Sequence, residues 1–231
     1  MASQLIQGRM VHLPVRVRDA TVCSAFFPVR ADAARAVIAY SGLDAAEILP
    51  GKAVCALVFA DYRDSDLDAY HEFGVAFLVR PPGSESRGPR EVGAFVHWLP
   101  VDQVFTMEAG RSLWGFPKEL AEIGLRLSSP YKRCVVRKDG RLVVDLLLRP
   151  GVPAPPARLP LTAYTHRDGV TRRITGRMAV HGVQARPGGA LIRLGNHPVA
   201  KELSELGLPK RALLSVTAER TRMEWDAAVT L

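Results

Sequence analysis

Lysine is scarce in this chain, with six residues against twenty-five arginines, and cysteine is scarcer still. Cys23, Cys55 and Cys134 are odd in number, lack CxxC spacing and each lie in an apolar or β-like run. This excludes a disulfide framework and predicts buried free thiols in a reducing cytoplasm. The six histidines form no HExxH or HxH pattern, which argues against a metal site. No apolar run is long enough for a membrane span, and Met1–Arg9 holds no apolar signal-peptide core. Repeats and low-complexity tracts are absent. The expectation is a cytoplasmic protein without membrane contact, and 231 residues fit one large domain or two small ones. A hydrophobic content of 48% supplies enough apolar surface for a substantial core.

Acidic charge is short only in the second half. Residues 1–130 carry 13 basic and 15 acidic groups, whereas residues 131–231 carry 18 and 8. A basic half can mark nucleic-acid binding. Here the arginines are scattered and no aromatic-interleaved RNA motif accompanies them, so a solvated basic face is the reading and nucleic acid is not an expected partner.

Strand signals dominate the rest. Val11, Leu13, Val15 and Val17 alternate with polar residues and Pro14, predicting an edge strand. Thr21–Val29, Ala53–Ala60, Glu72–Arg80, Glu91–Leu99, Ile123–Leu127, Arg133–Lys138 and Arg141–Arg149 read as further strands, with a hairpin signal at Asp139-Gly140. Asp61–Asp68 and Pro81–Pro89 read as loops, and Pro150–Pro160 as a connector. Leu161–Thr165, Arg173–Val183, Ala190–Leu194 and Ala212–Trp225 are strand-like again. Helices are expected at Ala31–Tyr40, Pro100–Ala109 and Pro198–Leu206. Many strands with few short helices predict a mainly β (α+β) fold, either barrel or sandwich.

One of the few lysines, Lys118, lies inside an apolar run, Trp114-Gly115-Phe116-Pro117-Lys118-Glu119-Leu120. In an extended segment Trp114, Phe116, Lys118 and Leu120 share one face and Glu119 faces away. Apolar company disfavours the ammonium and leaves a neutral amine, which can attack a ketone to form a Schiff base. The bland alternative is a solvated lysine whose stem covers its neighbours.

The wider wording, Gly110-Arg111-Ser112-Leu113-Trp114-Gly115-Phe116-Pro117-Lys118, closely resembles the Schiff-base lysine motif of the acetoacetate decarboxylase family. That enzyme is itself a standard instance of lysine activation, so the activation follows from the resemblance. Two further stretches carry the likeness. Phe27-Pro28-Val29-Arg30-Ala31-Asp32 looks like the family's early strand ending in an arginine, which implies Arg30 as the active-site arginine that holds a carboxylate. Its alternative is an arginine paired with Asp32. Tyr70-His71-Glu72-Phe73-Gly74 is similar to the family's Tyr-x-Glu-x-Gly signature and implies Glu72 as the acid–base group.

The resemblance implies a single domain over residues 1–231, a cone-shaped antiparallel β-barrel with small peripheral helices, an active site inside it, no cofactor, and assembly as a homo-oligomer. It implies a Schiff-base lyase acting on a small or medium keto acid, with Lys118, Glu72 and Arg30 as catalytic residues and Trp114, Phe116 and Leu57 as the dry wall. The rival reading is a catalytically silent binding module for a carbonyl or aromatic metabolite. Two departures stand out. Glu119 replaces a second lysine directly after the reactive one. The strand Val54–Phe59 has no acid where the family carries a second glutamate; Leu57 is the best match for that position. Glu108 is an acid near the motif, more in keeping with a structural role. Acetoacetate itself is therefore a doubtful substrate.

Overall fold

The structure is a computed structural model that describes residues 2–81, 92–208 and 210–231. The loop expected at Pro81–Pro89 therefore lies, from residue 82 on, outside the described residues, as does the expected strand start at Glu91. Along the chain the elements are β1 (Ser3–Ile6), β2 (Arg9–His12), β3 (Val15–Arg30), α1 (Ala31–Ile38), β4 (Asp44–Ala45), β5 (Lys52–Ser65), β6 (Tyr70–Arg80), β7 (Gly93–Val101), α2 (Val104–Trp114), β8 (Lys118–Leu120), β9 (Glu122–Arg126), β10 (Lys132–Lys138), β11 (Arg141–Leu148), β12 (Val152–Ala154), β13 (Ala157–Arg167), β14 (Val170–Pro187), β15 (Ala190–Leu194), α3 (Pro198–Glu205), β16 (Leu214–Trp225) and β17 (Val229–Thr230). Strand patterning located most of them. The expected Val11–Val17 strand is split at Pro14, where the Leu13–Pro14 peptide is cis. The acidic stretch after Ala60 is strand to Ser65 rather than loop. Its carboxylates face outward onto arginines, with Asp64 and Asp66 on Arg18 and Asp61 on Arg63, while Tyr62 and Ser65 point inward.

Seven strands close a barrel in the order β6-β5-β3-β16-β14-β13-β7, with β7 pairing back onto β6. The barrel is not antiparallel throughout. A ring of alternating directions closes only with an even number of strands, so seven strands require a parallel neighbour pair. That pair is β7–β13, and it is short: Ala94 and Phe95 pair with Ala163 and Tyr164. Farther along, β7 pairs instead with β8, Leu99 opposite Lys118 and Val101 opposite Leu120. The lysine strand thus stands at the seam that the odd strand count creates.

The wall is apolar on both sides, which explains the unbroken apolar run Ala53–Ala60. Cys55, Leu57 and Phe59 of β5, with Phe73, Val75 and Phe77 of β6, face outward and join one hydrophobic cluster with the separate sheet β15-β11-β10-β9 and with helices α1 and α3. Alternate residues face the interior, where Ala60, Tyr62, Leu99, Trp114 and Phe116 belong to a second cluster.

The three cysteines are buried and free. Burial pushes the Cys23 and Cys55 thiols up to about 12, and Cys134 higher than its ordinary value for the same reason. A thiolate is the reactive form. Native protein at pH 8 should therefore resist a thiol–disulfide reagent, and unfolding should release three reactive thiols; rapid native labelling at pH 8 would contradict this burial.

Candidate active site

Helix α2 and the turn after it build the lysine's seat. The Gln103 side chain caps the helix by accepting the Thr106 N–H at 3.2 Å. Gly115 ends it in the left-handed region, φ 70°, where a residue without Cβ is unstrained. The chain then folds back: the Phe116 N–H donates to Gly110 O at 3.1 Å, and the Lys118 N–H to Phe116 O at 2.8 Å. Trp114 is therefore helical, not part of an extended segment as expected, because α2 runs past Ala109 to Trp114. Leu120, two residues along β8, is 42% exposed and does not line the cavity. Trp114, Phe116 and Lys118 still meet in one cavity, brought there by the turn rather than by strand alternation.

Two neighbours fix the lysine from behind. The Arg111 Nε–H donates to the Lys118 carbonyl at 2.7 Å. Gly110 lies against the lysine stem so closely that a Cβ there would meet Lys118 Cδ at 2.6 Å and Cε at 2.7 Å. The Gly-Arg pair of the motif thus leaves room for the stem and pins its backbone.

At the other end of the stem, Lys118 Nζ lies 2.8 Å from Glu72 Oε2, with side-chain exposures of 3% and 14%. Nζ also donates to Thr106 Oγ1 at 3.2 Å and stands 4.8 Å from the centre of the Tyr70 ring. The Tyr62 hydroxyl donates to Glu72 Oε1 at 3.0 Å, and the Tyr62 and Tyr70 rings stack at 4.4 Å. Desolvation, reinforced by the Glu72 charge, holds both phenols well above their ordinary value, so they remain O–H donors. The site is more polar than the apolar neighbours of Lys118 in sequence imply.

These groups open into a cavity of about 270 Å³ inside the barrel. Val58 and Ala60 of β5, Val96 and Leu99 of β7, Met178 of β14 and Met223 of β16 supply its apolar wall. Among the described residues lining it, Lys118 and Glu72 are the charged ones.

Four residues singled out from the sequence stand elsewhere. Arg30 is not brought to the cavity. It lies six residues past the cavity-lining Ser24 along β3, about 20 Å at strand rise, with its side chain 73% exposed and its Nε donating to Asp32 at 3.0 Å. Leu57 faces the outer cluster, opposite Ala25 and Val75; its neighbour Val58, opposite Ser24 and Gly74, faces the cavity. A slip of one residue moves a side chain to the other face of a strand. Glu119 turns away from Lys118, as alternation predicts, and takes Lys138 and the Trp98 indole N–H. Glu108 sits outside the cavity, 3.8 Å from Arg111.

Tyr62, Tyr70 and Thr106 went unread in the sequence. The Tyr-x-Glu spacing places Tyr70 and Glu72 on one strand face, a signal that was available. No comparable local signal marks Tyr62, because it depends on how far β5 extends into the acidic stretch.

The two displaced wall and carboxylate residues give a paired test. Leu57→Ala should cost about 2–5 kcal/mol of stability by chemical denaturation, as for a buried leucine, and leave borohydride trapping at Lys118 at the wild-type rate. Arg30→Ala should alter neither. A trapping defect in either variant would return that residue to the site.

A family model described as acetoacetate decarboxylase (ADC) matches residues 5–231. No curated protein matches the chain in sequence. Among solved structures, an acetoacetate decarboxylase superposes with a TM-score of 0.70 at 19% identity, over 96% of this chain and 90% of that one. The acetoacetate decarboxylase of Legionella pneumophila subsp. pneumophila str. Philadelphia 1 gives 0.68 at 17% identity, over 96% and 90%. The enduracididine biosynthesis enzyme MppR in complex with pyruvate gives 0.65 at 16% identity, over 97% and 92%. At these identities the shared feature is the fold.

Proposed function

The chain belongs to the acetoacetate decarboxylase family, and on that premise we propose that it is a carbon–carbon lyase working through a Schiff base at Lys118. The observation that carries the proposal is the amine–carboxylate pair at 2.8 Å, buried in a cavity with otherwise uncharged walls. An amine so placed can hand a proton to Glu72 and attack a carbonyl carbon. The C–N bond forms, the carbonyl oxygen takes a proton from nitrogen, and Glu72 returns its proton to that oxygen. The C–O bond then breaks and water leaves. The product is an iminium with Glu72 again a carboxylate.

The iminium accepts an electron pair from the adjacent carbon–carbon bond. In a β-keto acid, carbon dioxide departs and an enamine remains; in a β-hydroxy ketone, Glu72 takes the hydroxyl proton, an aldehyde departs and an enamine remains. The apolar wall favours the first outcome, because a carboxylate losing its charge is helped by a site with few polar groups to solvate it. With Arg30 outside, the described residues of the lining include no arginine to hold a second carboxylate, so the substrate is read as a carbonyl compound with an apolar remainder. A volume of about 270 Å³ equals roughly nine liquid-water volumes, which suits a small to medium molecule. Pyruvate is the ligand of the MppR neighbour, and a pyruvate–aldehyde condensation product is bound in another structure of it, so aldol-type partners belong in any substrate panel.

The test is borohydride trapping with acetoacetate, longer β-keto acids and pyruvate–aldehyde mixtures, read by peptide mass. The expected result is a reduced adduct on Lys118, with acetoacetate a poorer substrate than longer, less polar acids. Absence of an adduct across the panel overturns the Schiff-base reading in favour of a silent binding module.

A further inference from the structure

The Schiff-base reading uses Lys118 and Glu72 but leaves three hydroxyl groups beside them without a task. Tyr62 donates to Glu72 Oε1 at 3.0 Å, and Lys118 donates to Thr106 Oγ1 at 3.2 Å. The Tyr70 ring stacks on Tyr62 and lies 4.8 Å from Lys118 Nζ. Together with the 2.8 Å contact between Lys118 and Glu72, the two hydrogen bonds link Thr106, Lys118, Glu72 and Tyr62 in that order.

A carboxylate only accepts, so the Tyr62 proton goes to Glu72 Oε1 while the amine meets Oε2. On its other side the amine donates to Thr106 Oγ1.

Resting on the Schiff-base reading, we propose that Tyr62 is a positioning residue: its O–H anchors one oxygen of Glu72 so that the other faces the amine, and the ring stack on Tyr70 holds that orientation through the catalytic cycle. Three features favour Tyr62 over a mere packing role. Its phenol meets the oxygen of Glu72 that Lys118 does not occupy. Its ring stacks on Tyr70 at 22°, which fixes the hydroxyl's line of approach. It lines the cavity itself, on the inward-facing alternation of β5 with Val58 and Ala60.

The groups facing Glu72 are Lys118 from β8, Tyr62 from β5 and Tyr70 from β6; Asp102, before α2, acts on Tyr70. His71, next to Glu72, points away toward Asp61 and Asp102. Tyr62→Phe removes only the O–H and keeps the ring stack, so the fold should persist. A donor to a carboxylate favours its charged form. Its loss should move the acidic limb of the trapping pH profile to higher pH and slow trapping roughly tenfold to a hundredfold, the usual effect of losing a bond to a charged group.

The experiment measures trapping of 2-pentanone at Lys118 by cyanoborohydride against pH in four proteins: wild type, Tyr62→Phe, Glu72→Gln and the double variant. If Tyr62 acts through Glu72, Tyr62→Phe should slow trapping in the wild-type background and change it by less than about twofold in the Glu72→Gln background. Multiplicative effects, or an unshifted acidic limb in Tyr62→Phe, overturn the positioning role while the Schiff base stands. No adduct in wild type overturns both. If Tyr62→Phe fails to fold, 3-fluorotyrosine at position 62 keeps the ring and makes its O–H a stronger donor, so the same limb should move to lower pH; an unmoved limb overturns the positioning role.

Discussion

Lys118→Met is expected to abolish the borohydride-trapped adduct and, with it, turnover. Methionine matches the lysine stem in length and lacks the nucleophile, so the cavity keeps its shape while the bond-forming atom is gone. No other lysine can take over: the cavity lining contains Lys118 alone among the described residues, and Lys132 and Lys138 are held by Glu219 and Glu119. The same change exposes what the pair does for stability. Removing one member of a buried ion pair leaves the other uncompensated, at about 3–5 kcal/mol in fully buried cases. Glu72 retains the Tyr62 O–H and is 14% exposed, so the lower part of that range applies. Lys118→Met with Glu72→Gln should recover much of the loss. Residual trapping in Lys118→Met, mapped to another lysine, would displace the proposed nucleophile.

Gly110→Ala is expected to give a protein that folds and does not react. By helix propensity alone, alanine is the better residue at this helical position by about 1 kcal/mol. Yet its methyl group would stand 2.6 Å from Lys118 Cδ and 2.7 Å from Cε. The helix backbone is held by its own hydrogen bonds, so the lysine stem is what moves. The amine then leaves its 2.8 Å contact with Glu72. A displacement of about 1 Å can cost 10²-fold in rate, and trapping should fall by at least about that factor. Thermal melting near the wild-type midpoint, together with lost trapping, is the combined signature. Trapping at the wild-type rate would show that the stem has a second path to the cavity.

How much of this was legible beforehand follows from the range of each signal. Strand alternation and turn chemistry are local, so the strands, the Asp139-Gly140 hairpin and the helix opening at Pro198 were readable. Lys118 and Glu72 were readable because their motifs are contiguous. Leu57 was misassigned because both faces of β5 are buried, Leu57 on one and Val58 on the other, and an unbroken apolar run gives no parity. Arg30 was misassigned because its motif fixes its neighbours but not its distance along a sixteen-residue strand. Tyr62 was invisible because the acidic residues around it resemble a loop until their arginine partners, on β3 and on β5 itself, are in place.

The seam between β7 and β13 has a meaning beyond architecture. Seven strands that each prefer an opposed neighbour form a frustrated ring: one contact must violate the preference, wherever the ring is cut. The defect is confined to two residue pairs, and Lys118 is mounted beside it. The other six neighbour pairs of the ring are antiparallel and include no residue of the lysine strand. Substitutions in the lysine strand and its turn can therefore redirect chemistry while the six antiparallel contacts keep the barrel closed.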